Sequence, residues 1–436
     1  RLLSPHGTVK LAEITEWPVH STTLFPHTPA QVRAMDKDER SVLLAHHNLE
    51  ITQAELARCR EAVRNGTIWR LAEQRSHCSA QLRDAFLWLL GQMVDPDEGP
   101  VGQTVLRHIA STNPIRGNSE VFGEEIDSRP HILHLNALLA MRWRRPGSWW
   151  NGEDGSAKRV VLLVGAAPPW RDSALGDAIS ALAEEAASII LISTPLGPVP
   201  FTLEDVSPWC HIDGPDDLWE LVLTEVEMDA WIEDLGLAGI PMEVHVCESS
   251  SDETEGGAER HVIRAWIDRC AVVDKLSLLC GIEPAAACQL TEGMSSRRSR
   301  TDRMVNVFVD DEHLFSPRLT DGALSLTLAG ARRLHALNPG TPTCFTEEIP
   351  VENRDHPGIP RILLLEDAIP FVGQGRNVMH GYILGADPHV IIGQPCLIVD
   401  ESGELVAHGI ANASADDMAF FNKGIAVKVR DGARRD

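Results

Sequence analysis

The sequence predicts a multidomain α/β protein that ends in a small β-barrel, and three observations carry that expectation. The first 150 or so residues hold capped, helix-periodic stretches and no run of strands. From 151 to 275, buried apolar runs alternate with helical patterns, the signature of a largely parallel sheet covered by helices. From 360 to 432 the chain changes to short alternating runs separated by polar turns, which reads as a small barrel. Between these, residues 276–355 read as a smaller α+β unit.

In chain order, Thr28-Pro29 is an N-cap followed by Pro at the first helical position and starts the run Ala30–His46. Thr52-Gln53-Ala54-Glu55 has the capping-box spacing and predicts a second helix start, running to about Arg64 and ended by Asn65-Gly66. Leu82–Met93 is a third helix, and Asp95–Pro100 is a loop. The turn-rich Gly147–Gly155 opens the second unit. There Val160–Val164, Ser188–Ser193 and Met242–Cys247 are strands, while Ser173–Ala187, Pro215–Thr224, Glu227–Leu235 and His261–Arg269 are helical, a Rossmann-like alternation. Ser249–Gly257 is a surface loop. In the third unit Thr320–Leu326 precedes a helix over Thr327–Leu337, with Thr341-Pro342 and Asn353–Pro360 as linkers. The last strands are Ile362–Leu365, Asn377–Ile383, Gln394–Val399, Leu405–Ile410 and Ile425–Arg430, with Asp400–Gly403 as a hairpin turn.

The 436 residues are 43% apolar and carry a net charge of −24. That balance disfavours binding nucleic acid by bulk charge, because phosphate contacts need local cations. Lysine is confined to Lys10, Lys37, Lys158, Lys275, Lys423 and Lys428, a composition that fits either a salt-adapted organism or a GC-rich genome. One basic patch stands out, formed by Lys423, Lys428, Arg430, Arg434 and Arg435. No apolar run approaches the roughly 20 residues of a membrane helix. Nine scattered cysteines without a CxxC pair read as reduced, mostly buried thiols of a cytoplasmic protein. The opening Arg1-Leu2-Leu3-Ser4 reads as the interior of a larger chain.

The C-terminal run carries the strongest motif set. Asp367–Val372, Gly375–Met379, Gly381–Ile383, Ala386–Pro388, Gly393–Asp400, Ala407–Gly409 and Lys423–Arg430 follow in order. Throughout, this region resembles the PUA domain, particularly its archaeal tRNA-modification versions. The resemblance implies an RNA-binding pseudobarrel. Its expected contacts are Phe371, Gly375, Arg376, Asn377, Lys423, Gly424, Lys428 and Arg430: glycines let an RNA backbone approach closely and the cations meet phosphates.

Residues Thr28-Pro29, Leu43–Leu49 and Gly66–Leu71 resemble the end of the catalytic barrel domain of archaeal tRNA-guanine transglycosylases. In that family a C-x-C-x2-C cluster and a His before Asn-Leu bind zinc. The matching positions here are Val19, Ser21, Leu24 and His47, so three of four ligands are absent and no cofactor is expected. The nearby His20, His27 and His46 have irregular spacing for a metal site.

The second unit resembles archaeosine synthase, which converts a nitrile-bearing base in tRNA to an amidine, in Ser193–Pro200, Leu203-Glu204, Pro208 and His211–Asp213. Thr320–Ala331 resembles the small domain preceding that enzyme's PUA domain. Its Pro-Cys…Lys-Pro-Tyr-Ser signature is not retained: after Val160–Leu163 the chain reads Val164–Ser173, in which Pro169 and Ser173 match and the Cys and Lys are missing. Asp172, Ser173, His211 and Asp213 remain as catalytic candidates, with Glu204 nearby. The competing reading has Asp213 capping a helix and His211 satisfying a backbone group. Trp143, Trp149 and Trp150 with Arg142, Arg144 and Arg145 either stack bases or cover a core edge. Together these resemblances imply tRNA modification in the archaeosine (7-deazaguanine) pathway, or a non-catalytic RNA-binding relative. The implied partners are tRNA and either a second copy or a transglycosylase, without a membrane.

Overall fold

The structure is a computed structural model and describes residues 1–94, 109–110, 120–121, 126–145, 156–206, 208–213, 216–220, 223–247, 257–318, 321–337, 339–342, 344–345 and 358–433. The loops expected at Asp95–Pro100 and Ser249–Gly257, the turn at Gly147–Gly155, most of the Asn353–Pro360 linker, and Trp149, Trp150, Arg434 and Arg435 fall wholly or mainly outside these residues. The chain divides into two compact units, 1–113 and 114–436.

The first unit is helical behind one hairpin, β1 (Leu2–Ser4) with β2 (Gly7–Val9). Thr28 caps as expected: its side chain accepts from Gln31 N while the Gln31 side chain reaches back to Thr28 N. That helix, Pro29–Ala34, is short. Asp36 caps a new one, Lys37–Asn65, which runs unbroken to Gly66 in the left-handed conformation. The start expected at Thr52 is therefore corrected. Thr52 Oγ1 donates back to Asn48 O at 2.8 Å, and Glu55, instead of completing a capping box, pairs with Arg58 and Arg75. Helices Ile68–Ser76 and Ala80–Val94 follow, joined by the Trp69–Phe86 ring contact at 5.1 Å.

In the second unit, β3 (Glu120–Val121) pairs in parallel with β7 (Ile212–Asp213). The main sheet has order β6-β5-β4-β8, comprising β4 (Arg159–Val164), β5 (Ser188–Thr194), β6 (Gly197–Pro200) and β8 (Met242–Val246). β4 pairs in parallel with both β5 and β8, and β6 folds back antiparallel on β5. Val160 to Leu163 are fully buried, which explains the continuous apolar run of β4: a central parallel strand has both faces covered. Helices Pro130–Arg142 and Leu175–Glu184 contribute to the same core.

Helix Gly257–Cys280 is far longer than the predicted His261–Arg269 and runs without a break across position 275. It joins the core of the parallel sheet to that of a four-stranded antiparallel sheet, β9 (Ser295–Arg298), β10 (Met304–Val309), β11 (Glu312–Pro317) and β12 (Leu324–Leu326). Asp310 and Asp311 both take positive φ in the two-residue β10–β11 turn, where Asp tolerates the left-handed region. Helix Leu328–Leu337 lies on this sheet so closely that a Cβ at Gly330 would stand 2.3 Å from Leu314 O.

The chain ends in a six-stranded sheet curled into a near-closed barrel, order β14-β18-β17-β16-β13-β15. Its strands are β13 (Arg361–Leu364), β14 (Val378–Met379), β15 (Ile383–Ala386), β16 (Pro395–Val399), β17 (Leu405–Ala411) and β18 (Ile425–Gly432). The predicted single strand Asn377–Ile383 is two short strands separated by a turn at His380–Tyr382. The predicted hairpin turn is present: Asp400 Oδ1 accepts from Ser402 N, Ser402 Oγ and Glu404 N, and Gly403 takes φ 82°.

Candidate functional site

The barrel gathers one exposed face from three pieces of chain. On β18, Lys428 and Arg430 are exposed, while Ala426 and Val427 just before them are buried in the barrel core. The Phe371–Asn377 loop docks against that strand: Asn377 Oδ1 accepts from Val429 N at 3.1 Å, and a Cβ at Gly432 would stand 1.9 Å from Gly373 O. Arg376 is thereby fixed beside β18. The Asn422–Gly424 turn closes the third side, with His380 N donating to Gly424 O at 3.1 Å and Gly424 at φ 98°. Arg376, Lys423, Lys428 and Arg430 are all exposed, and no carboxylate among the described residues pairs with them.

The same face is apolar to a degree the sequence reading missed. Phe371 is 59% exposed, and Phe420 reaches 82%. Phe420 and Phe421 meet edge-to-face at 5.2 Å, and Phe421 stands edge-on to His380 at 5.8 Å. Met379 and Ile425 are cross-strand partners, both partly exposed, and Tyr382 lies near by in sequence on the His380–Tyr382 turn. The available signal was Phe420-Phe421 beside Lys423-Gly424, an aromatic pair next to a basic glycine turn. Such a mixture of flat apolar rings and unpaired cations suits bases and phosphates together.

In the first unit, the positions that match zinc ligands do not fit a metal. Ser21 and Leu24 are buried in a turn, and His47, fully buried, uses Nε2 to donate to Leu3 O at 2.9 Å. The turn is held instead by Glu50. Its carboxylate accepts from Ser21 Oγ (2.7 Å), Thr22 N (2.8 Å), Thr22 Oγ1 (2.9 Å) and Thr23 N (3.3 Å). These bonds, led by that of Ser21, hold the Glu50 carboxyl well below the usual glutamate range.

In the α/β unit, no hydrogen bond among the described residues joins Asp172, Ser173 and His211 to one another. Ser173 Oγ donates to Ala167 O at 2.6 Å, and Asp172 points to solvent. His211 Nδ1 lies 3.3 Å from Cys210 Sγ, and burial lowers the His211 pKa. Asp213 sits in β7 rather than at a helix start. Of the tryptophan–arginine segment, Trp143 is buried, Arg142 donates to Leu278 O and Arg145 to Asp274, which favours the core-covering alternative over base stacking.

What the fold assembles instead centres on Glu204 and Asp205, just after β6. Arg171 donates from its backbone N (2.8 Å) and from Nη1 (3.1 Å) to Glu204 Oε1. Arg303 Nη2 donates to Asp205 Oδ1 at 2.9 Å, and Lys275 Nζ stands 3.8 Å from Asp205 Oδ2. Burial, then Asp205, raises the Glu204 pKa. Burial acts to raise Asp205 as well, but Lys275, Arg303 and Arg171 together hold it low. Lys275, more than a hundred residues on in the chain, shares a pocket with Arg171. The missed signal was Asp274-Lys275 inside the apolar stretch Ala271–Cys280, where buried charge requires partners.

Residues 360–433 match the PUA domain, and residues 283–340 match the patch-forming domain C2 of tRNA-guanine transglycosylase. The chain is 26% identical to a tRNA-guanine(15) transglycosylase of Methanothermobacter thermautotrophicus, over 99% of this chain and 60% of that protein. It is 25% identical to the one of Pyrococcus abyssi, over 99% and 55%. The chain thus spans under two thirds of the length of these relatives. Among solved structures, a protein of unknown function is 16% identical over 68% of this chain and 97% of its own, with a TM-score of 0.36. A conserved PUA domain protein from Thermoplasma acidophilum is 15% identical over 30% and 71%, with a TM-score of 0.22. Both scores are too low to bear on the fold. Two domain matches in the order seen here, with end-to-end similarity to the same enzymes, lead to one conclusion: this mixed α/β chain is a distant relative of the tRNA-guanine(15) transglycosylases, carrying a patch-forming C2 domain and a PUA domain.

Proposed function

We propose that this chain binds folded tRNA through the barrel face of Phe371, Gly375, Arg376, Asn377, Lys423, Gly424, Lys428 and Arg430, in the service of tRNA modification in the archaeosine (7-deazaguanine) pathway. The observation that carries this reading is the docking of the Gly375–Asn377 loop on β18, which brings the loop of Phe371 and Arg376 against the strand of Lys428 and Arg430, all four exposed. A chain of net charge −24 repels RNA at long range, so attraction must come from such a local patch of unpaired cations.

A second reading, a non-catalytic RNA-binding subunit working beside a transglycosylase or a second copy, is favoured by one observation. Ser173 already donates to Ala167 O, Asp172 faces solvent, and Cys210 is pushed well up by burial and by Asp205, so this group lacks an activated nucleophile. Catalysis by the chain alone would need another set of groups. The test of the tRNA reading is competition between folded tRNA and unstructured RNA of equal length for the intact protein. Preference for tRNA supports it; equal affinity overturns it. Mass analysis of nucleosides, after incubation of precursor-bearing tRNA with glutamine and the protein, separates enzyme from subunit.

A further inference from the structure

The pocket beyond Glu204 and Asp205 has more hydrogen-bond donors than acceptors. It opens between three elements: the Trp170–Ser173 turn with the segment after β6, helix Gly257–Cys280, and the β9–β10 hairpin. The cavity between them is small, about 40 Å³, room for a single compact group rather than a large ligand. Five cations reach it: Arg171, Arg264, Lys275, Arg298 and Arg303. Four carboxylates, Glu204, Asp205, Asp268 and Asp302, stand among them.

Each carboxylate is already engaged. Glu204 takes Arg171, and Asp205 takes Arg303. Asp268 takes Arg298 and Ser296 Oγ, and Asp302 takes Arg264 Nη2 at 2.9 Å. Four donors are left over. Nε of Arg171, of Arg264 and of Arg303 are buried without a hydrogen-bond acceptor. The Lys275 ammonium, on a side chain only 3% exposed, makes no hydrogen bond among the described residues; its nearest carboxylate oxygen is the one on Asp205 at 3.8 Å. A buried donor left unmade costs more than a formed bond returns, so a cluster with this deficit is built for an acceptor that arrives from outside.

The charges point to the sign of that acceptor. Five cations against four carboxylates leave the lining positive by one. Arginine forks match tetrahedral and planar oxyanions, and the lysine adds a point charge at the floor of the pocket.

We propose that this pocket is an oxyanion site that takes a phosphate group, with Lys275 as its central cation and Arg171, Arg264 and Arg303 supplying the remaining donors. The phosphate is that of a small phosphate ester, or a phosphodiester of bound RNA. The Lys275 side chain, closed off from the surface, accepts the small ligand more readily. This site is distinct from the barrel face, and its phosphate titration requires no tRNA.

The probe is inorganic phosphate, titrated into the full-length protein against chloride at matched ionic strength and read by calorimetry and thermal shift. Saturable binding with a rising midpoint is expected. Lys275→Met and Arg303→Gln are each expected to weaken it by about tenfold or more, the loss of one charge-assisted hydrogen bond. Arg303 lies nearer the surface, so Arg303→Gln carries the test should Lys275→Met fold poorly. No binding beyond that of chloride, or undiminished affinity in a folded variant, overturns the proposal. Competition separates the sources. Displacement by a nucleoside monophosphate, with tRNA affinity unchanged in the variants, assigns a small phosphate ester. Displacement by tRNA, with tRNA affinity lowered in Lys275→Met, assigns the RNA backbone.

Discussion

Removing one cation from the barrel face tests whether that face holds RNA. Arg376, Lys423, Lys428 and Arg430 are exposed and unpaired among the described residues, so at most four phosphate contacts come from this set. Counterion release then sets the slope of log K against log salt at about −3 to −3.6. Between 50 and 200 mM salt, that slope weakens binding by roughly 100-fold. Lys428→Ala or Arg376→Ala should each reduce the slope by about 1 and weaken binding evenly across tRNA sequences. Filter binding or fluorescence anisotropy at four salt concentrations reads both quantities. The reasoning fails if the slope of the intact protein is near zero. It fails equally if both variants keep the wild-type slope, because the phosphates would then be neutralised elsewhere. Phe371→Ala gives the complementary result: lower affinity with an unchanged slope, since a stacked ring releases no counterions.

Two further predictions concern what holds these surfaces in shape. At the edge of the barrel, Asp387 Oδ2 accepts from Arg361 N at 2.7 Å and from Arg361 Nε at 3.2 Å, with both side chains buried. Asp387→Ala strands the guanidinium and should cost about 3–5 kcal/mol, whereas a double change to Arg361→Met and Asp387→Leu should recover most of that. Hydrogen exchange of β13 and β16 measures it, and a loss below about 1 kcal/mol in the single variant refutes the pairing argument. In the first unit, the depressed pKa of Glu50 means that its contribution is present above the ordinary glutamate value of 4.5 and is lost as pH falls below it toward the lower folded value. Limited proteolysis of the Ser21–Phe25 turn should therefore accelerate on acidification. Glu50→Gln should be cleaved readily at neutral pH and lose that acid dependence; identical pH profiles for the two proteins would rule the clamp out.

Local chemistry made much of this protein legible from sequence alone. The Thr28 cap, the Gly66 stop, the apolar run of β4, the Asp400–Gly403 turn and the barrel motifs depend on neighbours a few residues apart, so their signals survive in one dimension. The misread start at Thr52 shows the limit of such signals. A capping box needs a free helix end, and here the preceding turn was already helical, so Thr52 bonded back to Asn48. The resemblances likewise identified the C-terminal domain and the relatives, and exposed the missing zinc ligands. They did not reveal what holds the Ser21 turn, because Glu50 reaches it from a helix 29 residues further on. Nor did they reveal the pocket, whose Arg171, Lys275 and Arg303 come from three separate elements. Composition and spacing record which charges a chain owns. Only the packed fold decides which of them are left buried without a partner, because that depends on contacts between residues far apart in the chain.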